Sequence, residues 1–331
     1  MEFRTTIKVD RLNEPIGHAD ALMLIGSCFS DNIGARFADA MMDVMVNPLG
    51  TLYNPLSIAS AVDRIVECRK VAPEELFLAN GVWNCFDFHS RYSGVDADAT
   101  LRAMNEAIEG AHEHLRRCRY VFLTLGTAFT YSHGGRVVGN CHKLPAAQFV
   151  RRMCGVGEVA EALSAAIGAL RAFNGKIRVV LTVSPIRHIA DGLAANGLSK
   201  STLRVAVGEV AERFADCCIY FPSYEIVNDD LRDYRFYASD MVHPSEVAVQ
   251  YVWEVLREAY LDDAARMLAD RCERMTKRLR HRPMSDNPEV VARFRADTDA
   301  ALARLVAEYP HLAAVAGRCR RSDIGPITHD E

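Results

Sequence analysis

Short apolar runs alternate with helical patterns along most of this chain, and this alternation constrains the fold more than any other feature. The run Leu22–Ile25 is too short for a helix and too continuous for a strand with one face in water. It is typical of a strand that is buried on both faces. Five such runs, joined through helices by mostly short connections, predict a parallel sheet in a three-layer α/β fold. The other runs are Val44–Val46, Tyr120–Leu125, Ile177–Val183 and Cys217–Phe221.

The helical patterns between these runs have apolar residues three and four positions apart. From about residue 261 the sequence changes to charged helices rich in Arg, Glu and Ala. We therefore divide the chain into an α/β domain, residues 1–260, and a helical C-terminal extension with a tail, residues 261–331. We interpret the extension as solvated or self-associating, so a homo-oligomer formed through it is one expectation. The helical patterns are Asp31–Asp43, Pro55–Ile65, Leu101–Arg117, Glu158–Phe173, Lys200–Phe214, Val247–Tyr260, Asp263–His281 and Pro288–Tyr309.

Composition excludes several classes of protein. A net charge of −4 over 331 residues gives no reason to expect nucleic acid or an anionic membrane as partner. The ten cysteines contain no C-x-x-C pair, which disfavours a disulfide framework and a structural zinc site. Residues 1–11 lack the apolar core of a secretory signal, so we expect a cytoplasmic protein with reduced thiols. Because no G-x-G-x-x-G or P-loop sequence occurs, we expect no cofactor and no metal ion.

Polar residues follow four of the predicted strands, after Ile25, Val46, Leu125 and Val183. Ligands of parallel α/β sheets bind outside the carboxyl ends of the strands, so this edge is the predicted functional site. Residues 72–100 are irregular and rich in aromatic side chains. An insertion of this length is either a lid or substrate-facing loop, or a surface packed on its own aromatics.

Two short motifs carry chemistry. Ser27 and Cys28 lie on the tight turn between the first strand and its helix, where a nucleophile is exposed beside a helix N-terminus. Asp240 precedes His243 by three residues. Such a carboxylate can accept the imidazole Nδ1–H and leave Nε2 to take a proton from a nucleophile. Together the motifs supply a nucleophile, a base and a residue that orients the base.

A family resemblance covers roughly residues 20–255. The motif Gly26-Ser-Cys-Phe-Ser30 resembles the signature of the GSCFA family, a branch of the SGNH (GDSL-like) hydrolases. The resemblance implies a flavodoxin-like α/β/α sandwich with a five-stranded parallel sheet. The further motifs that resemble the family, in order, are Asn47–Ser57, Gly126-Thr127, Asn140-Cys-His-Lys143, Thr182–His188 and Asp240-Met-Val-His243-Pro.

The SGNH pattern implies roles for particular residues of this chain. Cys28 falls on the serine nucleophile, Gly50 on an oxyanion-hole glycine, and Asp240 and His243 on the closing pair. Ser27 stands where the pattern has Asp, so Ser27 is the alternative nucleophile if the turn is shifted by one residue. We favour Cys28, because a thiolate near His243 and a helix N-terminus would be activated.

This chain also departs from the SGNH pattern at its third block, which begins at Gly126. Ala128 replaces the expected oxyanion-hole Asn, and we take Asn140 in the following loop as the substitute. His142 and Lys143 are expected either to bind a substrate carboxylate or phosphate, or to cap and pair within their own loop. His188 and Arg187 either contact substrate or, for the arginine, pair with an acidic residue such as Asp229 or Asp233.

These assignments predict an acyl-ester hydrolase or acyltransferase that acts through a covalent acyl-enzyme. The expected substrate is an O-acylated small molecule or carbohydrate. A cysteine nucleophile favours transfer, because thioesters pass acyl groups readily to other acceptors, whereas serine would favour hydrolysis. The alternative, supported by the missing Asn, is a catalytically silent protein of the same fold that binds a sugar or acyl ligand.

Overall fold

A parallel sheet of five strands forms the centre of the structure, a computed structural model that describes residues 4–320. The strands in chain order are β1 (Ala21–Gly26), β2 (Asp43–Val46), β3 (Leu76–Ala79), β4 (Val82–Cys85), β5 (Cys118–Leu125), β6 (Phe129–His133), β7 (Arg136–Val137), β8 (Val150–Met153), β9 (Arg178–Val183) and β10 (Cys218–Tyr220). The central sheet has the order β10-β9-β5-β1-β2, and every pairing in it is parallel. These are the five predicted runs, so the predicted α/β fold class is confirmed.

Helices cover both faces of the sheet. They are α1 (Cys28–Asp39), α2 (Pro55–Val66), α3 (Ala97–Arg117), α4 (Val156–Phe173), α5 (Leu193–Arg213), α6 (Ser223–Glu225), α7 (Glu246–Tyr260), α8 (Asp263–Arg280), α9 (Pro288–Glu308) and α10 (Ala313–Arg320). Alternate residues of β1 point to opposite layers. Met23 and Ile25 pack with α2 to α5, whereas Leu22 and Leu24 pack with α1 and α7. This two-sided burial explains why the strand is apolar at every position.

Several helices begin earlier than their periodicity predicts, and the differences at α1 and α5 affect the site. Helix α1 begins at Cys28 rather than Asp31, because Ser27 caps it. It ends at Asp39, shortly before Met41 adopts a left-handed φ of 54°. Helix α5 begins at Leu193 rather than Lys200, so Lys200 lies well inside the helix.

The segments interpreted as irregular contain two small antiparallel sheets. Strands β3 and β4 form a hairpin within the aromatic insertion. Strands β6, β7 and β8 form a three-stranded sheet within and after the polar loop that follows β5. The expectation of irregular structure was therefore wrong there. Strands β6, β7 and β8 are short and rich in polar residues, so they lack the apolar runs that mark the central strands, whereas β3 is an apolar run of only four residues.

The C-terminal extension packs on the α/β core. Ala265 and Ala269 of α8 share the apolar layer of α1 and α7, and the Arg280 guanidinium pairs with Asp39 of α1 at 2.7 Å. The division into two domains stays a prediction, and residues 321–331 of the predicted tail lie outside the described residues. Within residues 4–320, no helix has both the length and the apolar character that crossing a membrane requires.

Gly26 provides a test of this fold. A Cβ on Gly26 would lie 2.1 Å from the Thr124 carbonyl oxygen, and the residue has a φ of +147°. We expect Gly26→Ala to lower the free energy of unfolding by about 3 kcal/mol or more, because neither backbone can move without opening the sheet. Denaturant unfolding measures this loss.

Gly110 is the matched control. It lies within α3, and nothing lies within 4 Å of the Cβ that alanine would add. We expect Gly110→Ala to raise the stability by about 0.5–1 kcal/mol through helix propensity. An equal effect of the two substitutions would contradict the close backbone contact at Gly26.

Candidate functional site

The turn after β1 is held by backbone contacts with the neighbouring strand and with the loop after β2. The Gly26 N–H donates to Asn47 Oδ1 at 2.8 Å, and the Ser27 N–H donates to the Thr124 carbonyl at 3.1 Å. Asn47 is fully buried and also donates from Nδ2 to Asp31 Oδ1 at 2.9 Å. The carboxyl ends of β1, β2 and β5 are thereby tied together, at the edge where the site is predicted.

Ser27 and Cys28 have different roles in this turn. Ser27 is 1 % exposed, and its Oγ accepts the Phe29 N–H at 3.4 Å as the cap of α1. Cys28 is the first residue of α1 and is only partly buried. The serine hydroxyl is therefore engaged in capping, whereas the cysteine thiol is the more accessible of the two groups.

The environment of Cys28 opposes ionisation, contrary to the expected activation. Burial raises the pKa of the thiol to about 11, and the Asp31 carboxylate raises it further. The backbone N–H groups of Cys28 and Phe29 and the Lys200 ammonium lower the pKa, but by less. Desolvation therefore outweighs the helix N-terminus here. Cys28 needs a base to become a nucleophile.

Asp240 and His243 make the contact that their spacing predicts. His243 Nδ1 lies 2.6 Å from Asp240 Oδ2, while Asp240 Oδ1 accepts the N–H groups of Val242 at 2.9 Å and His243 at 3.0 Å. Burial raises the pKa of Asp240, but these N–H groups and the imidazole hold it at about 2. A carboxylate at this position fixes the tautomer with hydrogen on Nδ1 and leaves Nε2 as the acceptor.

His188 and Tyr53 connect Cys28 with the Asp240–His243 pair. The rings of Tyr53 and His188 meet edge to face, with centroids 5.9 Å apart. Burial raises the pKa of the Tyr53 phenol, and the charge of a Cys28 thiolate would raise it further. Burial, Lys200 and His243 all lower the pKa of His188, which falls to about 4. Tyr53 and His188 thus relate Cys28 electrostatically to the Asp240–His243 pair, and we refer to Cys28, His188, Asp240 and His243 as the candidate cluster.

Gly50 lies in the loop after β2, and its N–H is already used. It donates to the Asn47 carbonyl at 2.7 Å. Its φ of +92° and the His89 Cβ, which would lie 2.1 Å from an added Cβ, explain the requirement for glycine. The Gly50 N–H is thus used within its own loop, whereas an oxyanion hole would need this N–H to face the substrate.

The motif from Asn140 to Lys143 is built into the aromatic insertion. Asn140 Oδ1 accepts the His142 N–H at 2.7 Å, and none of the hydrogen bonds of Asn140 within residues 4–320 reaches Cys28. His142 is 6 % exposed, lies against Phe77 and has Nε2 2.8 Å from the Cys85 carbonyl. Burial lowers the pKa of its imidazole. Lys143 is exposed. These contacts fit the loop-internal alternative for His142, and the binding roles stay predictions.

The aromatic insertion itself packs against the loop after β2. The Phe77 and Phe86 rings stack with centroids 4.2 Å apart, and the His89 N–H donates to the Leu49 carbonyl at 3.0 Å. The Arg91 guanidinium and the Tyr92 hydroxyl donate to the carbonyls of Asn47 and Pro48. The insertion therefore packs on its own aromatic side chains, as the second of the two alternatives predicted. It also holds the loop after β2 in place.

Arg187 does not take either of its predicted partners. Its guanidinium lies over the Tyr237 ring, 4.4 Å from the centroid, and its backbone N–H donates to the Val242 carbonyl at 3.4 Å. The residue therefore packs the loop after β9 against the turn that carries His243.

Lys200 and Tyr53 are site residues that sequence reasoning missed. Lys200 is 1 % exposed, and its Nζ donates to the carbonyls of Gly126 at 2.6 Å and Ser184 at 2.7 Å. A sequence signal for it exists, because Lys200 shares a helical face with Leu203, Val207 and Val210, and a lysine is unusual there. Tyr53 lies inside the quoted motif Asn47–Ser57, but nothing in its spacing sets it apart.

Two solved structures resemble this fold at low sequence identity. A carbohydrate esterase family 3 protein from Talaromyces cellulolyticus is 10 % identical, with 76 % of this chain and 99 % of that chain covered and a TM-score of 0.37. The acetyl xylan esterase Est2A from the rumen bacterium Butyrivibrio proteoclasticus is 11 % identical, with 75 % and 66 % covered and a TM-score of 0.38. At these identities and TM-scores, neither likeness establishes a shared function.

Comparison with protein families is more decisive. No curated protein matches the chain. The model of the GSCFA family matches residues 21–256, which include β1 with its Ser-Cys turn, Lys200 and the Asp240–His243 pair. This match spans most of the chain and all of the central sheet, and the chain belongs to the GSCFA family.

Proposed function

We propose that this protein is an acyl-ester hydrolase or acyltransferase that forms a covalent acyl-enzyme at Cys28. The observation that carries the proposal is the Asp240–His243 pair, with Nδ1 2.6 Å from the carboxylate. A carboxylate-oriented imidazole is the group that a general base needs, and the partly buried Cys28 at the start of α1 is the nucleophile that we propose for it. The family match and the resemblance to SGNH motifs support the same chemistry.

The proposed reaction has two steps. His243 Nε2 takes the thiol proton, and Sγ attacks the ester carbonyl to form a C–S bond. The tetrahedral intermediate then expels the alcohol, which receives the proton from His243. In the second step His243 deprotonates water, a hydroxyl or an amine, which attacks the thioester and releases Cys28. Asp240 stays ionised throughout and stabilises the imidazolium.

The oxyanion must be held by groups at the start of α1. The Cys28 N–H already interacts favourably with negative charge on the thiol, so it is the main candidate for this role, whereas the Phe29 N–H is shared with the Ser27 cap. We keep Asn140 as the proposed side-chain donor, with Tyr53 as a second candidate because its phenol interacts with Cys28. We also propose that Gly126 and His188 contribute to substrate binding. The Gly126 carbonyl contacts both His188 and Lys200.

The finer proposal concerns the substrate and acceptor. We propose an O-acylated small molecule or carbohydrate as donor, with transfer favoured over hydrolysis because a thioester reacts readily with other nucleophiles. Adding an alcohol or amine acceptor to the reaction would then produce the acylated acceptor. Mass spectrometry of the products distinguishes this from release of the free acid alone.

A catalytically silent binding protein is the second candidate. It is favoured by the pKa of about 11 for the Cys28 thiol, by the engaged N–H of Gly50 and by Ala128, whose side chain is fully buried in the core. Each of these observations weakens the nucleophile or the oxyanion hole, while the Asp240–His243 pair favours the enzyme.

The nucleophile can be identified by intact-mass analysis after incubation with p-nitrophenyl acetate. We expect an acetyl adduct on the parent protein and on Ser27→Ala, and no adduct on Cys28→Ala. Ser27→Ala should still lose about 1 kcal/mol of stability, because it removes the cap of α1. Loss of the adduct only in Ser27→Ala would identify the serine as nucleophile. Absence of both adduct and nitrophenol release in the parent would favour the binding protein.

The Asp240–His243 pair is tested by the rates of single and double variants. We expect Asp240→Asn and His243→Ala each to slow nitrophenol release by about a hundredfold or more. The double variant should be little slower than His243→Ala, because the carboxylate acts through the imidazole. The mutual contact of 2.6 Å is the basis of this expectation. If the rate of nitrophenol release in the double variant fell by the product of the two single losses, this expectation would be contradicted.

A further inference from the structure

A groove lies where the C-terminal extension meets the end of α1, and none of the residues that line it takes part in the proposed reaction. Its walls are the last turns of α1, the end of α8 with the residues that follow it, and the first three turns of α9. Helix α1 begins at Cys28 and reaches the groove at Ala38, about 15 Å farther along its axis. The groove is therefore separate from the candidate cluster.

The volume of the groove, about 1050 Å³, is at the upper end of the range found for ligand pockets. Four arginines and two aspartates line it, which leaves a net charge of +2 with His281 neutral. Because the whole chain has a net charge of −4, positive charge is concentrated here. The charge of the groove favours an anionic ligand. The six residues are Arg278, Arg280, Arg282, Arg295, Asp39 and Asp299.

Two of the four arginines hold the walls of the groove together. The Arg280 guanidinium pairs with the Asp39 carboxylate at 2.7 Å, which ties α8 to α1. Arg278 donates from Nε to the Thr298 hydroxyl at 3.0 Å, which ties α8 to α9. Thr298 is only 5 % exposed, so this second contact is largely shielded from water. The walls are therefore fixed before any ligand binds.

The other two arginines have no anionic partner. Within residues 4–320, neither Arg282 nor Arg295 makes an ion pair or a side-chain hydrogen bond. Two guanidinium groups at one groove repel each other, and an anion bound by both relieves that repulsion. The planar guanidinium binds phosphate through two parallel N–H groups, which favours phosphate over other anions.

An apolar wall lies beside these charges. Phe294 is partly exposed, and its ring meets the His281 ring edge to face with centroids 5.4 Å apart. The partly buried side chains of Val291 and Leu279 also line the groove. Inorganic phosphate alone would leave this wall in water, whereas an aromatic ring would bury it and stack on Phe294.

We propose that this groove binds an organic phosphate that carries a planar aromatic group. Arg282 and Arg295 hold the phosphate, and the aromatic group lies against Phe294. The inference does not depend on the chemistry at Cys28, since the ligand binds at the other end of α1. Its failure would leave the proposed reaction unaffected.

The test is isothermal titration calorimetry of the full chain with three probes: ADP, inorganic pyrophosphate and adenosine. We expect ADP to bind, and pyrophosphate to bind about tenfold more weakly because it cannot stack on Phe294. Adenosine, which lacks phosphate, should show no measurable binding. Equal affinities for ADP and pyrophosphate overturn the proposal, as do equal affinities for ADP and adenosine. Absence of ADP binding at millimolar concentrations overturns it as well.

Variants locate the bound ADP. We expect Arg282→Gln and Arg295→Gln each to weaken ADP binding about tenfold, because each removes a charged donor to the phosphate. Phe294→Leu, which is apolar but not planar, should remove the advantage of ADP over pyrophosphate. Arg293→Gln is the matched control, since Arg293 is exposed on the same helix, loses the same charge and does not line the groove.

Circular dichroism establishes that these variants are folded. Arg293→Gln should bind ADP as the parent does. Equal losses in Arg293→Gln and Arg295→Gln would trace binding to net charge alone and overturn the proposal. So would folded Arg282→Gln and Arg295→Gln variants with the parent affinity.

A second copy of this chain is the other occupant to test. Light scattering coupled to size exclusion gives the molar mass of the parent, with and without ADP, and of Arg295→Gln. We expect the same mass in all three samples. A dimer that dissociates when ADP is added, or in Arg295→Gln, would identify the groove as an interface between copies and overturn the proposal.

Discussion

The close backbone contact between β1 and β5 determines where the site can lie. Gly26 approaches Thr124 so closely that an added Cβ would lie 2.1 Å from the carbonyl oxygen, and the next N–H, of Ser27, donates to that same oxygen. The chain must therefore turn immediately after the strand. The turn starts α1 at Cys28 and directs the first N–H groups of the helix toward the thiol. The loops that follow β2, β5 and β9 end at the same edge of the sheet as this turn.

Burial and charge oppose each other across the cluster. On its inner side the thiol of Cys28, the amine of Lys200 and the imidazole of His188 all have pKa values shifted toward their neutral forms, and burial is the largest cause in each. On its outer side the exposed carboxylate of Asp240 has a pKa of about 2. A low dielectric makes a lone charge costly and a charge pair comparatively stable. Each inner group is therefore held toward its neutral form, and the charges of Lys200 and His188 oppose each other.

The sequence predicted a strand or a contact accurately where it depends on residues close together in the chain. Strands buried on both faces are continuous apolar runs, so Leu22–Ile25 was placed within one residue of β1 at each end. The contact between Asp240 and His243 lies within one turn of chain and follows from spacing alone. Helix starts were less accurate, because the cap of α1 is polar and the first turns of α5, Leu-Ala-Ala-Asn-Gly-Leu-Ser, have no clear apolar periodicity.

Contacts between distant segments could not be read from spacing. Asn140 was selected by its place after Gly126, but the structure uses its carboxamide oxygen within its own loop. Lys200 was included only as the start of a helical pattern, although it joins the ends of β5 and β9. Both contacts have the same cause. A polar side chain is assigned to a partner by the packing of elements far apart in sequence, and one sequence contains no record of that packing.

By itself, the sequence determined the α/β class, the order of the five central strands along the chain and the motifs in which nucleophile and base are proposed. These depend on hydrophobic period and on residues a few positions apart, which a linear pattern preserves. Only the tertiary structure decided the order of strands in the sheet, the use of Gly50 and Asn140 within loops, and the contacts of the buried Lys200 with the carbonyls that follow β5 and β9. Those features depend on desolvation and on distances across the sheet, and both arise only when the layers pack.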